Sequence, residues 1–138
     1  MINRKNVWLL GLVVALAFGA SLYAQDRDRN DGGRWTYLGN AHVDGAQDHD
    51  NIRVGHQDGK FRAIQLRVRG GAINFERVVV HFGNGSQQEL AIRSEIPSGG
   101  RTRPIDLPGD RRRIESVELW YAKASWHTRP KVDLYGLR

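Results

Sequence analysis

The sequence lacks cysteine, and this absence excludes several kinds of chemistry. A chain of 138 residues with no cysteine has no disulfide, no thiol nucleophile and no cysteine-ligated metal. Residues 25–138 also lack the apolar periodicity of an amphipathic helix. The protein must therefore be held together by an apolar core that is not built from helices.

Catalytic and cofactor signatures are lacking as well. No serine stands in a Gly-x-Ser-x-Gly elbow, and Gly83-Asn84-Gly85 is too short for a dinucleotide-binding fingerprint. His42, His49 and His56 are spaced by seven residues, whereas paired zinc ligands are usually about three to five apart. We therefore expect a non-catalytic protein without a cofactor, calcium excepted.

The one long apolar run lies at the beginning of the sequence. Arg4 and Lys5 precede an apolar stretch over residues 7–18, and small residues lead up to Ala24. This pattern predicts a signal peptide over residues 1–24 and a periplasmic or secreted location. Retention as a membrane anchor is the alternative, but residues 7–24 are near the lower length limit for a span. We expect cleavage, and hence no stable membrane span afterwards.

Removal of residues 1–24 leaves 114 residues, enough for one domain. Residues 25–33 are polar and end in Gly32 and Gly33, which predicts a flexible leader before a single domain over residues 34–138. Without Arg4 and Lys5 the excess of positive charge is +4, nearly all of the basic residues being arginine. This charge favours an acidic partner but is too small for a dedicated nucleic-acid surface.

Short runs of alternating residues dominate residues 34–138. The clearest run places Ile64, Leu66 and Val68 on one face of a strand and polar residues on the other. Similar patterns occur in residues 77–82 and 117–122, and weaker ones in residues 35–43, 51–55, 88–93, 102–107 and 131–137. With glycine-containing turns between them, about eight strands are expected. The sequence predicts an all-β fold, an antiparallel and jelly-roll-like β-sandwich.

Arginine and tryptophan suggest a binding surface. An arginine fork binds phosphate or carboxylate, and an exposed indole stacks on a sugar. Alternation predicts that Trp120 points away from the core side of Val117 and Leu119. The predicted ligand-binding residues are Arg101, Arg103, Arg111, Arg112, Arg113, Trp120 and Trp126. The competing interpretation is that these arginines are solvated and these tryptophans buried.

A second candidate site lies in an acidic loop between two predicted strands. Asp44, Asp48 and Asp50 supply carboxylate oxygens, which calcium prefers as ligands. The spacing does not match an EF-hand loop, and carboxylates in turns commonly bond their own backbone. A calcium site here remains one interpretation of the loop.

A series of strand and turn segments extends over most of the chain, from Leu38-Gly39 to Leu134-Tyr135-Gly136. These segments are Ile64-Gln65-Leu66, Val78-Val79-Val80-His81-Phe82, Leu90-Ala91-Ile92, Glu95-Ile96-Pro97, Ile105-Asp106-Leu107, Arg113-Ile114 and Val117-Glu118-Leu119-Trp120-Tyr121. With them the chain resembles a small exported bacterial family of unknown function, including the enterobacterial YaaI-like proteins. The resemblance implies a periplasmic or secreted β-domain and supplies no binding or catalytic residues.

These observations predict an exported, non-catalytic module that binds an anionic polysaccharide or another anionic or sugar-bearing component of the cell envelope. Nucleic acid is not expected as a partner, because export and the small excess charge argue against it. Two alternatives stay open: a calcium-type, metal-dependent hydrolase that uses the loop of Asp44, Asp48 and Asp50, and a purely structural envelope protein.

Overall fold

A computed structural model describes residues 35–92, 94–125 and 127–138 of the chain. Within these ranges there is no α-helix, and the one helical element is a short 3-10 turn over His56–Asp58. The predicted signal peptide (1–24), the predicted leader (25–33) and Trp126 lie outside the described residues. Nowhere in the described part does a helix have the length and apolar character needed to cross a bilayer.

The described ranges contain ten strands, two more than the sequence predicts. They are β1 (Trp35–His42), β2 (Asp48–Arg53), β3 (Lys60–Phe61), β4 (Ala63–Arg69), β5 (Ile73–Phe82), β6 (Gln87–Leu90), β7 (Glu95–Ile96), β8 (Ile105–Asp106), β9 (Arg112–Lys123) and β10 (Lys131–Leu137). Two strands account for the difference. The predicted strand over residues 61–69 is divided at Arg62 into β3 and β4, and Glu95–Ile96 forms the additional strand β7 by pairing with β5. The predicted all-β class is confirmed.

The strands form two antiparallel sheets. The first sheet has the order β1-β10-β4-β8, and the second has the order β2-β9-β5-β6, with β3 paired to β9 and β7 paired to β5. The chain passes from the second sheet to the first between β3 and β4, where Arg62 N donates to Leu137 O at 2.8 Å. The long central strands β9 and β5 explain why their alternation is clear in the sequence.

One apolar cluster draws on both sheets. From the first sheet, Leu66 and Leu134 are fully buried in it, and from the second, Val78 and Leu119 are. Each of these residues alternates with a residue on the opposite, outward side of its strand, as a pleated strand requires. The outward sides of the two sheets therefore carry the polar and aromatic side chains that are available for binding.

The predicted acidic loop is partly a strand. β2 begins at Asp48, because the backbone from Asp48 to Asp50 pairs with Tyr121, Trp120 and Leu119 of β9. The sequence interpretation of residues 44–51 as a loop was therefore wrong beyond Gln47. Carboxylates are unfavourable in strands by propensity alone, so pairing with the long strand β9 outweighs local preference here.

Candidate functional site

The arginines and tryptophan predicted to form one surface are separated in the structure. Trp120 lies near the end of β9, whereas Arg112 lies at its start, so the two are about 26 Å apart along the strand. Arg101 and Arg103 lie between β7 and β8, and Arg101 pairs with β4 of the first sheet. The predicted set therefore does not form a single site.

Arg112 holds turns together. Its guanidinium carbon lies 4.0 Å from the centroid of the Phe82 ring, and its Nη atoms donate to Pro108 O at 3.1 Å and Ser86 Oγ at 3.0 Å. These contacts join the turn before β9 to the hairpin between β5 and β6. Arg111 and Arg113 are exposed beside it.

Trp120 lies on the outward side of the second sheet, as alternation predicts, but its ring is occupied. His49 of β2 stacks on the indole with ring centroids 4.4 Å apart and an angle of 13° between the planes. The guanidinium carbon of Arg77, from β5, lies 4.8 Å from the indole centroid. Because β2 and β5 flank β9 on opposite sides, the two side chains cover the indole from both sides. No open face remains for stacking on a sugar.

Beside Trp120, one carboxylate joins two histidines. His49 Nε2 donates to Glu118 Oε2 at 2.8 Å, and His81 Nε2 bonds Glu118 Oε1. The hydrogen bond from His49 lowers the pKa of Glu118 below its usual value, and burial works in the opposite direction. We call this surface the Trp-His face; it comprises His49, Arg77, His81, Glu89, Glu118 and Trp120.

Two of the three acidic residues proposed for calcium use their carboxylates in other bonds. Asp48 accepts hydrogen bonds from the backbone N–H groups of Asp44 and His49, each at 2.9 Å. Asp50 accepts the hydroxyl of Tyr121 at 2.6 Å, and burial together with this bond raises the pKa of Tyr121 above its usual value. Across the described ranges, no cluster of acidic, histidine or cysteine side chains is arranged to hold a metal ion.

An exposed aromatic lies on the outward side of the first sheet, where the sequence analysis had placed no site. Tyr37 of β1 is 47% exposed and is the one large apolar side chain classed as exposed among the residues that the structure describes. The Tyr135 ring meets it edge to face, with centroids 5.6 Å apart. Asn40 Nδ2 donates to the Tyr37 hydroxyl. The Tyr37 ring is thus held at the edge of the sheet while half of its surface faces solvent.

Arginine side chains continue this surface across the sheet. The guanidinium carbon of Arg67 lies 3.8 Å from the Tyr135 ring centroid, and its Nε donates to Gln65 Oε1 at 2.9 Å. Gln65 is completely buried and donates in turn to Thr102 O at 3.0 Å. Arg67 is therefore fixed through Nε and through its flat face, which leaves its two Nη groups to meet a ligand.

Arg69 forms an ion pair on the same side. Its Nε and Nη2 donate to the two carboxylate oxygens of Asp133 at 2.7 and 3.3 Å, and Asp133 is only 6% exposed. The hydrogen bonds that Arg69 donates to Asp133 raise the pKa of Arg69. The pair places a nearly buried carboxylate within an otherwise basic surface.

The register of the strands places further charges beside these. One row across the sheet contains Asn40, Asp133, Arg67 and Arg101, and the next contains His42, Lys131 and Arg69. In these rows four cationic side chains accompany one carboxylate. We call this surface the Tyr-Arg face; it comprises Tyr37, Asn40, Arg67, Arg69, Arg101, Lys131, Asp133 and Tyr135.

Sequence reasoning singled out only Arg101 of this face. Alternation does place Arg67 and Arg69 outward, and the same pattern places Asp133 and Tyr135 together on one side of β10. The missing information was the strand order, because β1, β10 and β4 are far apart in the sequence and adjacent in the sheet.

Comparisons with known proteins gave two similarities. A family model described as a domain of unknown function, DUF2541, matches residues 11–136. The solved structure titled "Structural and functional characterization of Pseudomonas aeruginosa AlgX" is similar over 75% of this chain, with 9% sequence identity and a TM-score of 0.49. The matched region is 26% of that chain, so this chain spans about a quarter of its length. No curated protein matches the chain.

The family match bears on the resemblance seen in the sequence. It extends over nearly the whole chain, including the strands of both sheets. The prediction of an uncharacterised family is confirmed, and the chain belongs to the DUF2541 family, a domain of unknown function.

Proposed function

We propose that this protein is an exported, non-catalytic binding module that holds an anionic component of the cell envelope on the Tyr-Arg face. The observation that carries the proposal is the exposed ring of Tyr37 near Arg67 and Arg101 on the outward side of the first sheet. Sites on strands are held more precisely than sites on mobile loops, which suits binding without catalysis.

The proposal includes an exported, jelly-roll-like sandwich. Removal of residues 1–24 as a signal peptide would release the domain into the periplasm or outside the cell. A core shared by both sheets supports the sandwich, because two sheets that each have one apolar side bury those sides against each other.

Charge complementarity supports an anionic ligand. Arg67, Arg69, Arg101 and Lys131 exceed the one carboxylate of Asp133 in their rows. Arginine is weakly hydrated and presents a planar fork, so it binds carboxylate and phosphate groups at a lower desolvation cost than lysine does.

The Trp-His face supports ligand binding less well than the Tyr-Arg face does. Its charged groups pair with each other, since Glu118 bonds two histidines and Arg77 bonds Glu89. The indole of Trp120 is covered as described above. A hydrolase that uses the acidic residues of β2 is not favoured, because Asp48 and Asp50 use their oxygens to hold backbone and Tyr121.

Binding of anionic polymers tests the proposal. Purified protein is titrated calorimetrically with polygalacturonate, dextran sulfate and polyphosphate, and with uncharged dextran as a negative control. We expect at least one anionic polymer to bind, with an affinity that falls as salt screens the charges. Arg67→Ala and Arg101→Ala should each weaken binding roughly tenfold, through loss of a charge-assisted hydrogen bond.

Arg111→Ala is the matched control, because it also removes one exposed arginine but lies just before β9 of the second sheet. It should leave binding unchanged, and melting curves should show that all three variants are folded. Equal losses from Arg111→Ala and Arg67→Ala would move the site away from the Tyr-Arg face. Failure of every anionic polymer to bind would contradict the proposal and favour a purely structural envelope protein.

A further inference from the structure

We propose that the ligand of the Tyr-Arg face is an acidic polysaccharide, one of whose pyranose rings stacks on Tyr37. This inference rests on the proposed function and narrows its ligand from anions in general to sugar rings that carry anionic groups. Three properties of the face carry it: the held aromatic ring, the fixed guanidinium, and the presence of a hydrogen-bond acceptor among the cations.

The first property is the orientation of Tyr37. Tyr135 meets the ring in a T-shaped contact and Asn40 donates to its hydroxyl, so little side-chain entropy is lost when a ligand packs on the exposed surface. Aromatic rings present a flat, apolar surface, and the C–H side of a pyranose is the part of a sugar that such a surface accepts. A ligand composed only of anionic groups would gain nothing from Tyr37.

The second property is the orientation of Arg67. The contact with the Tyr135 ring and the bond to Gln65 hold its guanidinium beside Tyr135, the ring that also contacts Tyr37. Arg101 stands directly across from it on the neighbouring segment. An anionic group on the same ligand can thus meet an arginine while a neighbouring ring lies on Tyr37.

The third property distinguishes a sugar from a simple polyanion. Asp133 lies between Asn40 and Arg67 in their row, and it is an acceptor that uses one lone pair of each oxygen for Arg69. A phosphate chain has no hydrogen to donate to this carboxylate and would be repelled by it. Sugar hydroxyls both donate and accept, so they can bond the arginines without being repelled by Asp133, whose side chain is 9% exposed.

The dimensions of the face suit an oligosaccharide. From β1 across β10 and β4 to the segment of Arg101, three strand spacings amount to about 14 Å. That distance exceeds one sugar ring. The chain of the polysaccharide would run across the strands, from Tyr37 on the edge strand towards Arg101.

Matched polymers test the inference on the purified protein. Polygalacturonate and dextran sulfate carry anionic groups on sugar rings, polyglutamate and polyphosphate carry them without rings, and dextran has rings without charge. We expect the acidic polysaccharides to bind at least about tenfold more tightly than polyglutamate or polyphosphate, and dextran to bind weakly. A single-stranded oligothymidylate is included, because nucleic acid also combines rings with anionic groups.

Variants of Tyr37 complete the test. Tyr37→Ala should weaken polygalacturonate binding roughly tenfold and leave the weak polyphosphate binding unchanged, whereas Tyr37→Phe should keep most of the affinity. Since Tyr37 is half exposed, the melting temperature of both variants should be close to that of the parent protein.

Three outcomes would overturn the inference in distinguishable ways. Equal affinity for all polyanions, with no effect of Tyr37→Ala, would refute the polysaccharide and leave the proposed anion-binding function intact. Tighter binding of oligothymidylate than of either acidic polysaccharide would assign the face to nucleic acid instead. No binding of any polyanion would overturn both this inference and the proposed function.

Discussion

At the scale of single residues, Glu118 shows how a sheet surface stabilises a partly buried charge. Its carboxylate accepts hydrogen bonds from His49 and His81, which approach from the strands on either side. Beneath these side chains Val79 is 2% exposed although it lies on the outward side of β5. The two histidines thus favour the ionised form of Glu118. Together with Glu118 they also cover Val79.

The stability of the protein should depend on the ionisation of Glu118. Because its folded pKa is lower than the 4.5 of an unperturbed glutamate, its contribution is fully present above that value and is lost as the pH falls through the folded pKa. Replacing Glu118 with Gln should cost about 1 to 2 kcal/mol at about pH 5.5. The difference from the parent protein should be smaller at about pH 3, which is below the pKa of an unperturbed glutamate.

Urea unfolding at the two pH values measures this effect. Glu89→Gln is the matched control, because Glu89 lies on the same face, pairs with Arg77 and is largely exposed. Its effect should be small, as for most exposed ion pairs. A cost of Glu118→Gln that is the same at both pH values would show that the carboxylate acts through shape and not through charge.

Trp120 shows how far sequence reasoning reaches at this scale. Alternation correctly predicts that Trp120 and Glu118 point outward, because that depends only on the pleat of β9. It could not predict that His49 and Arg77 cover the indole, since this depends on which strands lie beside β9. A side chain's direction is a local property, whereas its neighbours are a property of topology.

At the scale of elements, β10 is constrained by a close approach. It lies between β1 and β4, and at Gly136 it passes against the buried ring of Phe61 and the side chain of Leu38. A Cβ atom at Gly136 would lie 2.6 Å from Phe61 Cδ1 and 2.9 Å from Leu38 Cδ1. The absence of a side chain therefore allows the corner between β3 and β4 to close onto the first sheet.

Gly136→Ala should consequently destabilise the protein by about 1 to 3 kcal/mol, as overpacking of a dense core does. The midpoint of urea unfolding measures the change. Gly55→Ala is the control, since Gly55 has a φ of −70° and the nearest atom to an added Cβ is the side-chain oxygen of Asp58 at 3.3 Å. That variant should stay within about 0.5 kcal/mol of the parent protein.

A second substitution separates steric overlap from other causes. Phe61→Leu removes part of the ring that the new methyl group meets, so the double variant should be less destabilised than the sum of the single changes. Strict additivity of the two changes would contradict the steric explanation.

The predictability of the strands follows their length. The long strands β5 and β9 have many alternating residues, and the sequence pattern predicts a segment of each strand, residues 77–82 and 117–122. Two-residue strands such as β3 and β8 have no period of their own and exist because a longer strand lies beside them. For the same reason β2 extends into the acidic segment, where local preference predicts a loop.

At the scale of the whole molecule, the two sheets depend on one shared core. The fold class and the uncharacterised family could be predicted, because both rest on alternation and turn spacing along the chain. The Tyr-Arg face could not, because Tyr37, Arg67, Arg101 and Tyr135 meet only when β1, β10, β4 and the segment before β8 are assembled. Function at this scale is a consequence of assembly rather than of any single motif.

Because the two sheets share one core, a substitution that destabilises one sheet should destabilise the other to the same extent. Leu134 and Leu119 are both fully buried, one in each sheet, and belong to the same apolar cluster. Leu134→Ala and Leu119→Ala should each cost about 2 to 5 kcal/mol of unfolding free energy. In each variant, hydrogen exchange of the slowest amides in β10 and in β9 should accelerate by the same factor, because neither sheet retains a core without the other. Faster exchange confined to the substituted sheet would show instead that the two sheets unfold independently. Addition of a reductant should change none of these values, since a chain without cysteine has no covalent cross-link of this kind to lose.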